Sequence, residues 1–275
     1  MKKAIIIPNT QKEKSLEFAP VAASFLKKKG YETDIITDSP SSVREADLAI
    51  VLGGDGTILR AARQLYGKDI PLFGINFGRL GYLTECGSDD AISGLERVAG
   101  GEYRLESRMM LEGEIIRGGN KTAEFIALNE ISVYRAMLMH ALSMDILING
   151  KHTETVRGDG LIVATPTGST SYNLSAGGPV LTPTSQSIVI TAVAAHNLCH
   201  SSIVTDGEDT ISAKITYGFA EDRGSAFLEV DGNERFELLD GDIINVRRAE
   251  HNAKIIKVTD KSFYQTLKEK LSREN

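Results

Sequence analysis

The sequence predicts an α/β domain followed by a β-rich domain, and two textures along the chain carry that prediction. Over the first hundred residues, short apolar strand patterns alternate with segments of helical spacing, which implies a parallel sheet covered on both faces. From about residue 105 the segments become short, β-rich and separated by turn residues, and a helical pattern returns only at 262–271. The division that follows is an α/β domain over 1–105 and a β-rich domain over 106–254, with a C-terminal helix at about 255–275 packing back on the first.

Each element has its own reason. Ala4-Ile5-Ile6-Ile7 is a short apolar run that reads as a buried first strand. Leu16, Ala19, Ala23 and Leu26 recur at helical spacing within 14–29, and Gly30, past a lysine-rich last turn, ends that helix. Residues 31–37 and 48–52 read as strands, 58–66 as a helix and 71–76 as a fourth strand. Beyond the change in texture, 111–117, 143–148, 187–192, 210–217 and 226–230 are strand-like. Asp231-Gly232 stands between 227–230 and 233–236 and marks a hairpin. No repeat of solenoid period and no low-complexity linker is evident.

Composition narrows the function classes. With 41% hydrophobic and 25% charged residues among 275, the chain has the profile of an ordinary soluble globular protein. Its net charge of -6 offers no basic surface for nucleic acid or an anionic membrane. A phosphorylated ligand would therefore be held locally, by glycine loops and helix N-termini. The two cysteines, Cys86 and Cys199, have no CxxC partner, which argues against a disulfide scaffold or a cysteine zinc site and fits a reducing compartment. The N-terminal apolar run is too short for a signal peptide, and no stretch approaches a membrane span. The expected location is cytoplasmic.

Three segments carry chemistry. Gly53-Gly54-Asp55-Gly56-Thr57 follows the apolar run Leu48-Ala49-Ile50-Val51-Leu52 and precedes a helical pattern. Strand, glycine turn and helix together point free backbone N–H groups at an anion. No lysine follows as in a Walker A loop, and the spacing is not that of a dinucleotide fingerprint. Asp55 beside phosphates is repulsive unless it holds Mg²⁺ or accepts a proton from an attacking hydroxyl. The same five residues also suit a tight turn with aspartate as a turn residue.

The second segment runs from Gly158-Asp159-Gly160 through Thr165-Pro166-Thr167-Gly168-Ser169-Thr170-Ser171-Tyr172 to Gly177-Gly178-Pro179. It offers hydroxyls and backbone groups to a polar ligand and an aromatic face, Tyr172, to a base; a capped helix start with turn glycines would look similar. The third is Asn129-Glu130 after the strand-like 125–128. Its acid beside an amide suits paired ribose hydroxyls, though ordinary polar turn residues would read alike. The five histidines are scattered. His196 and His200 stand at i, i+4, but Asn197 and Leu198 follow His196 where a zinc-protease helix needs glutamate.

In order along nearly the whole chain, these segments resemble the NAD kinase family. The Gly53–Thr57 loop is shared with diacylglycerol and sphingosine kinases and, loosely, with 6-phosphofructokinases. More particular are Asn76-Phe77-Gly78-Arg79-Leu80-Gly81-Tyr82-Leu83, Leu128-Asn129-Glu130 and residues 159–179. Asp231-Gly232-Asn233, Arg247-Arg248-Ala249-Glu250-His251 and Phe263-Tyr264 fit the family's C-terminal part.

The resemblance implies a fold related to that of diacylglycerol kinases, an active site between the domains, and homodimers or homotetramers. It implies transfer of the terminal phosphate of ATP or inorganic polyphosphate to the 2′-hydroxyl of the adenosine ribose of NAD, giving NADP. Asp55 would accept the hydroxyl proton. Gly53, Gly54, Gly56, Thr57 and Arg60 would meet the donor phosphates, with Gly56 also near the dinucleotide. A divalent cation, Mg²⁺, would arrive on the donor rather than at a fixed protein site. Asn129 and Glu130 would hold NAD, Asn129 at adenine. Asp159 would bind the nicotinamide end with Arg157 close by, and Thr170, Ser171, Tyr172, Asn173, Leu174 and Ser175 would grip the adenosine half. His140 and Asn233 fall where members contact ligand.

The chain departs from the family pattern at four places. Ser171 stands where many members have alanine, Asn173 where many have serine, and Asn233 where glutamine is common. The segment around His196 lacks the usual preceding Pro and Cys. Two other functions share parts of the pattern: a non-catalytic NAD(P)-binding sensor, and a lipid kinase, which would need a membrane-seeking surface.

Overall fold

The computed structural model describes residues 1–78, 81–135, 141–196, 201–217 and 226–272. The chain divides into two compact units, Met1–Arg108 with His251–Asn275, and Met109–Glu250.

The first unit is built on strands β1 (Lys2–Pro8), β2 (Tyr31–Ile35), β3 (Leu48–Leu52), β4 (Leu72–Asn76), the short β5 (Cys86–Gly87) and β6 (Arg104–Arg108). They are interleaved with helices α1 (Glu13–Lys28), α2 (Asp55–Gln64) and α3 (Ala91–Gly100). Near the C-terminus the chain re-enters this unit as β19 (Ala253–Lys257) and α5 (Phe263–Leu271). The sheet order is β2-β1-β3-β4-β19-β6, with β5 beside β4. Every residue of β3 and β4 is buried, as expected of parallel strands covered on both faces.

Three features correct the sequence reading. The sheet is mixed rather than parallel, because β6 runs antiparallel to β19. The chain leaves this unit through β6 and returns through its neighbour β19, so the two strands point in opposite directions. The stretch at about 255–275, expected as one helix, is a strand followed by a shorter helix. Ile255 and Ile256 are fully buried in the sheet, and only from Ser262 does a capping box with Gln265 start a helix. Helix α2 also begins earlier than 58, because the glycine turn winds directly into it and places Asp55 in its first turn.

The second unit holds two six-stranded sheets in which every pair of neighbours is antiparallel. One has the order β11-β10-β15-β18-β7-β8, from β7 (Leu111–Arg117), β8 (Asn120–Ala127), β10 (Leu142–Ile148), β11 (Lys151–Gly158), β15 (Ile211–Thr216) and β18 (Ile243–Arg248). The other has the order β14-β13-β12-β9-β16-β17, from β9 (Glu130–Arg135), β12 (Gly160–Ala164), β13 (Ser187–Val193), β14 (Ile203–Asp206), β16 (Ala226–Val230) and β17 (Glu234–Leu238). Leu111, Phe125, Met144 and Ile215 of the first sheet share one apolar core with Ile131, Leu161, Ile190 and Leu228 of the second. On the second sheet's other face, Ile162, Ala164 and Val189 are covered by Ala176 and Leu181, from the loop that includes the one-turn helix α4 (Tyr172–Ser175). Among the described residues no helix is long and apolar enough to cross a membrane.

Candidate functional site

In the first unit, β1 lies between β2 and β3, so the chain steps from β1 to one side, onto β2, and then passes to β3 on the other side. A crevice at the carboxyl ends of two such strands is where open α/β sheets hold ligands. The glycine loop occupies that position. The N–H of Gly53 donates to the carbonyl of Ile75 (2.8 Å), and that of Asn9, just past β1, to the carbonyl of Leu52 (2.8 Å). The Asn9 amide also reaches the Thr57 hydroxyl (3.1 Å), tying the strand-end to the first turn of α2. Among the described residues, no acceptor faces the N–H groups of Gly54, Asp55 and Gly56, the orphan donors of a helix start. Gly56 and Arg60 are exposed.

Asp55 does not simply point outward. Its Oδ2 accepts the N–H of Tyr82 (2.7 Å), and its Oδ1 accepts those of Leu83 (3.1 Å) and Thr84 (3.3 Å). A carboxylate has about four acceptor positions, so one stays available to a hydroxyl or a cation. A Cβ on Gly81 would sit 1.9 Å from Asp55 Oδ1, so any side chain there would displace this carboxylate from its place. The receiving loop is anchored in turn by Glu85, which is buried and accepts from Lys257 Nζ (2.8 Å), the N–H groups of Val258 (2.8 Å) and Thr259 (3.0 Å), and the Thr259 hydroxyl (3.1 Å). Arg108 belongs to the same neighbourhood and has no signal in the sequence. It is 3% exposed and paired with Glu106, and burial pulls its guanidinium below the usual arginine range, against the pull of Glu106 and Asp55. Cys86 is inert by the same physics, since burial pushes its thiol up to about 12.

In the second unit the structure brings Asn129, Glu130 and Ser171 together. Glu130 opens β9 and is buried, and its Oε1 accepts the Ser171 hydroxyl (3.1 Å). Its Oε2 is buried and has no hydrogen-bond partner among the described residues. Burial first, and then the negative charge of Asp231, push the Glu130 carboxyl up to about 8. At neutral pH this group is therefore protonated and able to donate as well as accept. Asn129 is half-buried, and no described residue bonds its side-chain amide.

Asp159 connects β11 to β12, and its carboxylate pairs with Arg135 (2.6 Å), so its charge is already balanced within the unit. Arg157 is exposed on β11, and its carbonyl accepts the N–H of His196 (2.8 Å). Tyr172 is 38% exposed; burial and then Asp159, Glu229 and Glu130 raise its phenol. Thr170 and Leu174 are half-buried and Ser175 is exposed.

Asn173 departs from the sequence reading. It is completely buried and its amide is fully engaged: Nδ2 donates to the carbonyls of Ser169 (3.1 Å) and Pro179 (3.0 Å), and Oδ1 accepts from Thr191 (2.7 Å). Its side chain braces the loop instead of facing solvent. Asn233 likewise folds back, donating to the Asp231 carbonyl (2.8 Å). His140, and the segment 197–200 beyond His196, lie outside the described residues. Among the described residues no three His, Cys, Asp or Glu side chains cluster as a metal site would require.

The carboxyl of Glu130 yields a stability prediction. A folded-state pKa of about 8 against an ordinary 4.5 means that the native state keeps a proton the unfolded chain releases. Stability is full below the unfolded value and falls as pH rises between the two. Glu130→Gln removes that penalty, so the variant should gain over wild type by a few kcal/mol, growing from about pH 5 and levelling off above about pH 8. Thermal midpoints of both proteins across this range check it; a constant offset would contradict the assignment.

Comparison with known proteins agrees along the whole length. The family profile described as the ATP-NAD kinase N-terminal domain matches residues 10–103, and that of the ATP-NAD kinase C-terminal domain matches 128–258. The NAD kinase of Natranaerobius thermophilus is 34% identical over 99% of this chain and 98% of its own. That of Geobacter metallireducens is 40% identical over 82% and 78%. In fold, the chain is similar to yeast NADH kinase complexed with NADH (TM-score 0.91, 22% identity, 99% of this chain and 88% of that one). It is also similar to an NAD kinase from Archaeoglobus fulgidus in complex with ATP (TM-score 0.80, 24% identity, 99% of both). With both domain profiles matched in order and relatives of this identity spanning nearly all of it, the chain belongs to the NAD kinase family.

Proposed function

We propose that this chain transfers the terminal phosphate of ATP, or of inorganic polyphosphate, to the 2′-hydroxyl of the adenosine ribose of NAD, yielding NADP. The observation that carries this reading is Asp55, a carboxylate held by three backbone N–H groups at the start of a helix whose first N–H groups are open. The open donors suit the negative oxygens of the phosphate donor. The remaining acceptor position of Asp55 takes the proton of the attacking hydroxyl, which makes the oxygen a competent nucleophile. A divalent cation carried by the donor, Mg²⁺ in this reading, would neutralise phosphate charge there rather than at a fixed protein site.

The second unit supplies groups for the dinucleotide. The open amide of Asn129 takes the adenine edge, and the protonated Glu130 both donates to and accepts from ribose hydroxyls. Tyr172 stacks on the base, within a stretch formed by Thr170, Ser171, Leu174 and Ser175. Asp159 and Arg157 take the nicotinamide end. The chain acts in the cytoplasm as a homodimer or homotetramer in this reading, which light scattering on the purified protein checks.

The test is NADP formation by the purified protein from NAD with Mg²⁺ and either donor, read through an NADP-specific dehydrogenase. Product with ATP, polyphosphate or both is expected and assigns the donor. NAD binding without product from either donor would favour a dinucleotide sensor instead.

A further inference from the structure

Asp231 enters the sequence only as a turn residue, yet the structure gives its carboxylate a second task. It is 5% exposed and accepts three consecutive backbone N–H groups: Leu128 on Oδ2 (3.0 Å), and Asn129 (2.8 Å) and Glu130 (3.1 Å) on Oδ1. Its own N–H donates to the carbonyl of Glu130 (3.0 Å). The other side of the turn is tied to the residue just past β12. The Thr165 hydroxyl donates to the carbonyl of Leu128 (2.6 Å), and the Thr165 N–H to that of Asn129 (2.8 Å). Gly168 packs so closely on this peptide that a Cβ there would lie 2.1 Å from the Asn129 carbonyl oxygen. Every N–H and carbonyl of 128–130 thus has a place inside the unit, while the Asn129 amide side chain bonds none of the described residues.

Three N–H groups converging on one anion in a buried turn form a rigid device, since charge-assisted bonds are the stronger kind and each has a preferred direction. Asp231 can take part because its backbone is left-handed (φ 50°), a conformation that aspartate and asparagine tolerate and that turns its side chain back toward β9. We infer that Asp231 is a positioning residue for dinucleotide recognition: through the 128–130 turn it fixes where the Asn129 amide and the Glu130 carboxyl point. The inference rests on the proposed reaction, in which those two side chains hold NAD. The carboxylate of Asp231 is buried and bonded to the backbone of 128–130, so in that reading it governs affinity for one substrate.

Asp231→Asn keeps the size and tolerates the left-handed backbone, but its NH₂ group must face one of the three N–H donors. The expected result is a rise of about tenfold or more in KM for NAD, the scale of a displaced binding group, with kcat and KM for ATP within about twofold of wild type. In an Asn129→Ala background the same substitution should raise KM for NAD by a smaller factor than in wild type, because one of the two groups that Asp231 positions is already gone. An unchanged KM for NAD, an equal rise in KM for ATP, or the same rise in both backgrounds would overturn the proposal.

Amide hydrogen exchange of the wild-type protein tests the clamp without any variant. The amides of 128–130 should be protected like core strands, and exchange at the rate of an open loop would overturn it. Should the wild type form no NADP, the reaction reading fails by itself. The affinity for NAD, titrated calorimetrically with both proteins, then replaces KM, and an unchanged value for Asp231→Asn sinks the positioning role separately.

Discussion

Asp55→Asn is expected to lower kcat by about 10²–10⁴-fold, the usual contribution of a general base, while leaving the affinity for NAD within a few-fold. The two side chains have the same size and both suit the first turn of α2, so the helix start should survive. What disappears is the acceptor for the hydroxyl proton. The amide also turns an NH₂ toward one of the N–H groups of Tyr82, Leu83 or Thr84, which now meet at one carboxylate. That mismatch costs about 1–3 kcal/mol of stability, a modest fall in thermal midpoint. Turnover in a coupled assay and NAD affinity by calorimetry separate the two effects. Turnover near the wild-type level would remove Asp55 from its role in proton transfer, whatever happened to stability.

Glu85→Ala is expected to destabilise the fold by about 3–5 kcal/mol, the cost of leaving a buried charge without its partner. The Lys257 ammonium is largely buried and loses its counter-ion, and the N–H groups of Val258 and Thr259 lose their acceptor. The thermal midpoint should fall by roughly 10 °C. Glu85→Gln retains an oxygen for the backbone donors and should fall less. A midpoint within about 2 °C of wild type for the alanine variant would mean that the end of β19 is held by other contacts. The loop that receives Asp55 immediately precedes Glu85, so reduced turnover in whatever fraction stays folded is the expected companion result.

Both experiments act on contacts that differ greatly in how visible they are from sequence. The Gly53–Thr57 loop was legible because its cause is local: an apolar strand, glycines and a helix start follow one another without a gap. The same holds for Gly30 at the end of α1 and for the Asp231-Gly232 turn, where backbone φ is positive at both residues. Asn129-Glu130 and the hydroxyl-rich stretch around Ser171 were visible as chemistry, although 41 residues separate Glu130 from the Ser171 hydroxyl it accepts.

By itself the sequence determined the order of these local units, the fold class and, through the resemblance, the family. Tertiary structure alone decided the rest. The strand β19 joins the first sheet from the far end of the chain, so a stretch that reads as the start of a helix pairs with β6 instead. Asn173, which the sequence sets beside the ligand, is drawn inside by Thr191 and two carbonyls. The carboxylates of Asp231 and Glu85 find their donors more than a hundred residues away. No local pattern names such partners, because backbone N–H groups are identical in every residue. Which of them converge on a buried carboxylate depends on how strands distant in sequence come to lie side by side, and only the folded chain fixes that.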